Sequence, residues 1–483
     1  MKDAAPRATE PNRPRLRAIR VPSSRRVDKW VTFPRGESRG AGAIIDLSAG
    51  GLAFETNEPH GLSLGQALPS IEITFAGREV YAGPAVVRSL RDQGKRHIVG
   101  LSVAEGFLPV GHAVELDDRA RLAEEIEGEL KRLARVSDLP PVLKSTVAET
   151  RYYLDGLRRK LDEVDARLRR LPHHASERLG QAALESVSPA LGERLTYFAR
   201  RLGEIAAHRE LADQDAYRRY VQAEVGLLLR EAPLVRRVFE KPLGHAMDYE
   251  VLALALRGPD GPTLFARALE HYFCTVGPAQ ALAQRVGELA RRLHVEALAC
   301  VHAEAPLRIL AFGAGAAPEL AACLREGGLG HCELTLIDGD RGALLYAQDQ
   351  LESVRARGRV ELEARFLQYH ALELLSESAP QDLLPAQDLI YLPAVLDTLS
   401  DRVAARLVTT LYSCLRDGGR VVGATLVRDD ATRFLFEFVA EWFLAYRDEH
   451  ALRRLTQALP PDATVEIERG ETGGNLYLMV RKG

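Results

Sequence analysis

Apolar positions change their period along this chain, and each change marks a different kind of structure. From Trp30 they alternate with polar ones in short bursts: Trp30–Phe33, Gly42–Leu47, Gly51–Glu55, Ile71–Phe75, Val80–Val87 and His97–Val103. Successive side chains of a strand point to opposite faces, so this texture predicts six short strands. Their close spacing predicts a small antiparallel β-barrel over residues 27–112, preceded by a polar, Pro- and Arg-containing lead, residues 1–26. Over residues 113–235 the chain is rich in Leu, Arg, Glu and Ala, which predicts a helical linker or bundle, with helices over Arg119–Val136, Leu191–Ala207 and Gln214–Leu229. Within it Leu143, Val147, Thr150, Leu154, Leu157, Leu161, Val164, Leu168 and Leu171 recur at alternating spacings of four and three, until Pro172 ends the run. That seam fits a coiled coil pairing two copies through residues 143–171, or equally a helix packed along its own bundle. His173–His174, at a helix end, read as solvated.

Residues 236–483 read as a further domain that opens with an N-terminal helical cap, after which strand and helix patterns alternate. Leu307–Phe312, Glu333–Ile337, Val360–Leu367, Asp388–Leu392 and Arg420–Leu426 read as strands, Val403–Leu415 as a helix, and Thr464–Glu468 with Asn475–Val480 as a terminal hairpin. The order predicts an α/β doubly wound, Rossmann-like sheet with antiparallel strands at its end, and such sheets bind ligands beyond the carboxyl ends of their strands. The first strand runs into Gly313-Ala314-Gly315, where side chains would fill the space in which a cofactor approaches the backbone. The next residues are Ala316-Ala317-Pro318, so the third glycine of a pyrophosphate cradle is missing. The second strand ends on Asp338, followed by Gly339, at about the spacing where an acid takes ribose hydroxyls. A glycine turn with a ribose acid and no pyrophosphate glycines is the arrangement used for S-adenosylmethionine (SAM); an ordinary ligand-free loop is the alternative.

Composition adds few constraints. At 483 residues two or three domains are expected, and 64 basic against 67 acidic side chains leave a net charge of −3. No global field therefore selects nucleic acid or an anionic membrane. Arginines cluster locally, at Arg13, Arg15, Arg17, Arg20, Arg25 and Arg26. Five cysteines without C-x-x-C spacing suggest neither a zinc site nor a disulfide framework. The expected compartment is the cytoplasm, with no apolar run long enough to span a bilayer.

Two resemblances sharpen the function. Asp46-Leu47-Ser48-Ala49-Gly50-Gly51, opening the strand Gly51-Leu52 after an arginine-rich lead, resembles the PilZ family of cyclic di-GMP receptors. The resemblance implies cyclic di-GMP binding by Asp46, Ser48 and Gly51 together with arginines of the lead. Arg13 and Arg17 have the family's spacing, whereas Arg20, before Val21-Pro22, stands where its second arginine is usual. Lys241–Tyr249, Leu396–Arg402 and Phe436–Arg447 together resemble the class I methyltransferase family associated with 3-hydroxypalmitic acid methyl ester signals, over roughly residues 210–483. That resemblance implies SAM as cofactor and methyl transfer to the carboxylate of a small or fatty (hydroxy) acid. On it Gly313, Ala314, Gly315, Asp338, Gly339, Asp248, Arg285 and Tyr391 are cofactor-binding candidates, and Glu437, Tyr446, Arg447 and Tyr249 are candidates at the acceptor. The aromatic run Phe434, Phe436, Phe438, Trp442 and Phe443 reads as core before acyl pocket. The whole then reads as a cyclic di-GMP-responsive methyltransferase whose helical neck transmits occupancy. Met247, Ala283-Gln284 and Ala394-Val395-Leu396 depart from the methyltransferase family's residues. They motivate the rival reading, a non-catalytic effector whose methyltransferase-like domain binds a protein.

Overall fold

The computed structural model describes residues 21–22, 27–36, 38–57, 61–93, 96–207, 211–300, 306–327, 329, 331–357, 362–375, 384–427 and 432–483. Two compact units divide the chain, Met1–Asp138 and Leu139–Gly483.

In the first unit seven strands form, β1 Val21–Pro22, β2 Lys29–Arg35, β3 Ser38–Ser48, β4 Gly51–Thr56, β5 Ala67–Phe75, β6 Arg78–Gln93 and β7 Arg96–Val103. They pair antiparallel in the order β1-β3-β2-β5-β6-β7-β4, and a further β3–β4 ladder closes β2 to β7 into a six-stranded barrel. Alternate residues point inward, so Val31, Phe33, Ile44, Phe54, Ile71, Ile73, Val87 and Val99 fill it. All six strands expected from the alternation are present. At the β3–β4 turn the Ser48 hydroxyl donates to the Gly51 carbonyl at 3.1 Å. Gly51 has no room for a side chain, because a Cβ there would stand 2.3 Å from the Leu101 carbonyl oxygen on β7. The helix Val110–Ala134 follows, and its Asp117 accepts from the buried Lys29 ammonium.

The second unit opens with the helices Pro141–Leu168 and His173–Ala206. Proline stands in the first turn of the former, where its missing N–H costs nothing. Leu143, Val147, Leu154, Leu161 and Leu168 of the repeating seam are buried in one core with Leu191, Leu195, Phe198 and Phe273, and Thr150 among them is buried too. The seam is therefore packed along the chain's own bundle, the second of the two readings its spacing allowed. The helix expected from Leu191 begins at His173 and carries Pro189 inside it, a residue that removes one backbone hydrogen bond without ending the helix here. His173 and His174 open it and are exposed. Phe436, Phe438 and Trp442 belong to the same core, with Phe436 set edge-on to Phe273 and Trp442 at 5.3 and 5.5 Å. Phe443 stays half exposed.

Glu270 lies in that apolar bundle without any exposure and accepts the Leu234 N–H at 3.0 and 3.2 Å. Burial pushes its carboxyl up to about 7. A carboxyl raised in the folded state stabilises fully below its ordinary value and loses that contribution as pH rises toward 7. Wild-type stability should fall between pH 5 and 8, Glu270 accounting for roughly 2–3 kcal/mol. Glu270→Gln, which keeps the acceptor for Leu234, should flatten much of that slope in urea denaturation at the two pH values.

The sheet of this unit comprises β8 Leu307–Phe312, β9 Cys332–Asp338, β10 Leu362–Gln368, β11 Gln387–Leu392, β12 Leu415–Leu426, β13 Thr464–Arg469 and β14 Asn475–Arg481. The order is β10-β9-β8-β11-β12-β14-β13. The first five are parallel, and β14 runs antiparallel between β12 and β13. Order reverses beside β8, the first strand, so the switch point at which such sheets take ligands falls at the carboxyl ends of β8 and β11. The chain thus contains an antiparallel barrel, a helical bundle and a Rossmann-like sheet closed by an antiparallel hairpin. No helix among the described residues is long and apolar enough to cross a membrane.

Candidate functional site

The glycine turn and the acid at the end of β9 are built as one piece. Gly313 and Ala314 donate their N–H groups to the Ile337 carbonyl at 2.8 and 3.0 Å, which carries the turn across to β9. The Gly315 N–H then donates to Asp338 Oδ2 at 2.8 Å, and the Asp340 N–H donates to Oδ1 at 2.8 Å. Each carboxylate oxygen accepts one backbone bond and retains a lone pair directed elsewhere. Gly313 and Gly315 take φ of +66° and +54°, a region costly for side chains, and Ala317 takes +46° immediately before the helix Pro318–Arg325.

The two glycines differ in what surrounds them. A Cβ on Gly313 would lie 2.9 Å from the Val395 side chain, so its space is already filled by protein. A Cβ on Gly315 would meet nothing within 4 Å. The expectation that both leave room for a cofactor is therefore narrowed to Gly315; Gly313 serves the fit of the turn against the loop after β11. Gly339 is different again, since a Cβ there would stand 2.2 Å from the His370 ring. The ring lies directly against the backbone beside Asp338.

Tyr249 reaches this rim. Its phenol lies against Gly342, at the start of the helix Arg341–Ala356, and its ring is 5.6 Å from that of Tyr346. Burial first, and the neighbouring Glu250 carboxylate second, hold its hydroxyl above the ordinary phenol range. Asp248, one residue earlier, points the other way. It is buried, takes a bidentate contact from Arg237 Nε at 2.8 and 3.0 Å, and caps the helix Tyr249–Arg257 by accepting from the N–H groups of Glu250 and Val251. A charged capping acid followed by Tyr-Glu is a helix-start signal that sequence reasoning passed over.

The remaining candidates divide into two groups. Arg285 is buried at the carboxyl end of β11, where Nη1 donates to the Pro393 carbonyl and to Asp397 Oδ2, both at 2.7 Å, and Nε donates to Asn475 Oδ1 at 2.9 Å. Asp397, without exposure, also accepts from the Thr425 hydroxyl and the Leu426 N–H on its other oxygen. Tyr391 is wholly buried in the core on the β8 side of the sheet. Arg447, on the far side of the loop after β11, spends its guanidinium on the chain itself: Nη1 on Leu396 O at 2.5 Å, Nη2 on Leu399 O at 2.7 Å and Nε on Asp401 Oδ1 at 3.0 Å. The geometry makes it a clamp on the loop 396–401. Tyr446 is buried beneath the Arg433 guanidinium, 5.5 Å from its ring. Glu437 lies in the bundle, where burial raises its carboxyl while Arg433 and Arg218 pull the other way. So the structure brings Gly313, Ala314, Gly315, Asp338, Gly339 and Tyr249 to one rim, and gives Asp248, Arg447 and Glu437 partners within the fold.

In the barrel, Asp46 stands opposite Ala53 and Ser48 opposite Gly51, so the two polar residues of the Asp-x-Ser-x-x-Gly run flank one hairpin turn. A cleft of about 410 Å³ opens on the barrel, lined among others by Lys29, Trp30, Ala41, Ala43, Ile45 and Thr56. Arg13, Arg17 and Arg20 lie outside the described residues.

The sequence matches no family model and no curated protein. Among solved structures the chain is similar to one described as a possible exported protein from Bordetella parapertussis, at 16% identity and a TM-score of 0.39, covering 61% of this chain and 96% of that one. It is similar to magnesium protoporphyrin IX methyltransferase from Synechocystis PCC 6803 with bound SAM, at 12% identity and a TM-score of 0.30, covering 42% of this chain and 83% of that one. The CurJ carbon methyltransferase is 12% identical, with a TM-score of 0.38 and coverage of 73% and 99%. Likeness at this level assigns no function to the chain.

Proposed function

We propose that the second unit is a SAM-dependent methyltransferase acting on the carboxylate of a small or fatty (hydroxy) acid, and that the barrel binds cyclic di-GMP and regulates it. One observation carries the enzymatic half: a glycine turn open at Gly315, tied by its own N–H to an acid at the end of the neighbouring parallel strand. Asp338 suits a ribose, because its oxygens are fixed by backbone N–H groups and still accept from two adjacent hydroxyls. The open space at Gly315 suits a ligand that must lie against the backbone. When bound, the cofactor supplies an electrophilic methyl group on a sulfonium. A carboxylate acceptor is already ionised at neutral pH, so this chain has to orient it and exclude water rather than remove a proton.

Calorimetry with SAM tests this half. Wild type should bind, and Asp338→Ala, shown folded by circular dichroism, should bind at least tenfold more weakly; absence of heat with wild type would sink the reading. Labelled cofactor and lipid extracts, with and without cyclic di-GMP, would identify the acceptor.

For the barrel, support comes from the Asp-x-Ser-x-x-Gly hairpin on a closed six-stranded frame. Ser48→Ala, or Asp46→Ala, should abolish cyclic di-GMP binding, and undiminished binding would defeat the assignment. The rival reading, a non-catalytic effector, draws on the internal engagement of Arg447 and Glu437. Detection of methyl transfer would end it.

A further inference from the structure

The parallel sheet has a second end, and charged side chains collect there. Arg308, Glu333 and Glu363 are each the second residue of β8, β9 and β10, and they stand in register as one row across the three strands. Thr335 and Arg365 form the next row on the same face, two residues and about 6.6 Å further along, because side chains alternate. Together with Arg355, from the last turn of the helix Arg341–Ala356, they line a cleft of about 340 Å³. Asp338 is five residues along β9 from Glu333, about 16 Å away, so this cleft is separate from the rim at Gly315.

The fold leaves these charges largely unmatched. Arg308 Nε donates to Glu333 at 3.0 Å. The Arg355 and Arg365 guanidinia and the Glu363 carboxylate make no hydrogen bond or ion pair among the described residues. Glu333 and Glu363 face each other directly across neighbouring strands, where like charges repel. Gln387, at the start of β11, borders the cleft and is 1% exposed, and its Oε1 accepts from no donor among the described residues. Two cations in want of an anion thus stand beside acceptors in want of donors.

We propose that this cleft binds a small phosphate monoester that carries hydroxyl groups, the chemistry of a sugar or polyol phosphate. Its phosphate meets Arg355 and Arg365. A tetrahedral dianion offers oxygens in several directions, so guanidinia arriving from a helix end and from a strand can both engage it, whereas a single carboxylate is filled by one fork. Its hydroxyls meet Glu333 and Glu363, which as carboxylates only accept, and the Thr335 hydroxyl. A hydroxyl donating to either acid lessens their repulsion, and Arg308 holds Glu333 in place. The volume is at the small end of the range for small-molecule clefts. Bound there, the ligand ties β10, an edge strand paired only with β9, to the end of the helix Arg341–Ala356.

Titration calorimetry of the full-length protein at low ionic strength and about pH 7.5, where a phosphate monoester is mostly a dianion, tests this with glucose 6-phosphate, glycerol 3-phosphate, inorganic phosphate and glucose. Wild type should bind the two esters, at least tenfold more tightly than inorganic phosphate, and should not bind glucose. Arg355→Gln and Arg365→Gln should each weaken both esters and inorganic phosphate at least tenfold. Glu363→Ala should spare inorganic phosphate and remove most of the preference for the esters. Asp338→Ala, at the other end of β9, should bind all of them as wild type does. Arg355, Arg365 and Glu363 are exposed, so their variants should unfold in urea at the wild-type midpoint. Absence of heat from every phosphate with wild type, arginine variants that bind as tightly as wild type, or equal affinity for the esters and inorganic phosphate would each overturn the proposal. So would a loss in Asp338→Ala equal to that in Arg365→Gln, which would move the phosphate to the rim.

Discussion

Asp397→Ala is expected to cost the second unit about 3–5 kcal/mol in denaturant unfolding, the largest loss of any single change considered. The carboxylate is fully buried and every strong neighbour depends on it: Arg285 Nη1 at 2.7 Å on one oxygen, the Thr425 hydroxyl at 3.0 Å and the Leu426 N–H at 2.8 Å on the other. Alanine removes the acceptor and leaves a guanidinium in an apolar interior, still held by Pro393 and Asn475 but without countercharge. Water cannot compensate without opening the loop between β11 and β12. Asp397→Asn retains an oxygen for Thr425 and Leu426 and should lose less. A loss below about 1 kcal/mol for alanine would show that the pair is not buried as described.

Arg447→Met is expected to destabilise by about 2 kcal/mol: the Leu399 carbonyl is left without its donor, at about 1–3 kcal/mol for a stranded buried group, and the Leu396 carbonyl keeps only the long bond from the Leu399 N–H. Methionine approximates the volume of the arginine stem, so the change isolates the guanidinium from the packing. Its bonds to Leu396 O and Leu399 O hold the loop in which Asp397 sits, which places the two predictions on one piece of chain. The sequence reading made Arg447 an anchor for an acceptor carboxylate. On that reading the variant should keep its stability and lose acceptor affinity. The structure predicts the opposite order, with the midpoint in urea shifting while KM for the acceptor stays constant in whatever fraction remains folded. Measuring both on one preparation decides between them.

What could be read from sequence followed from locality. Barrel strands were legible because a period of two within five or six residues needs no knowledge of distant partners, and the same holds for the strand–turn–acid order from Leu307 to Asp338. The heptad seam was legible as a buried stripe but not as to its partner, since Leu143 to Leu168 present the same spacing to a second copy or to the chain's own helices. The partners of the candidate site residues were not legible where they lie far along the chain. Arg285 meets Asp397 across 112 residues and Arg447 meets Leu396 across 51. No spacing rule announces such bonds, so arginines with internal partners looked like free ligand anchors.

The placement of β14 between β12 and β13 sets an order of events during synthesis. β13 has no other partner in the sheet, and β12 keeps that edge bare until Asn475–Arg481 has been made. While the ribosome is still reading those codons, the nascent unit exposes an unpaired strand edge bordered by apolar residues, the kind of surface to which chaperones and other nascent chains attach. Made after both of its neighbours, β14 is the strand that covers that edge.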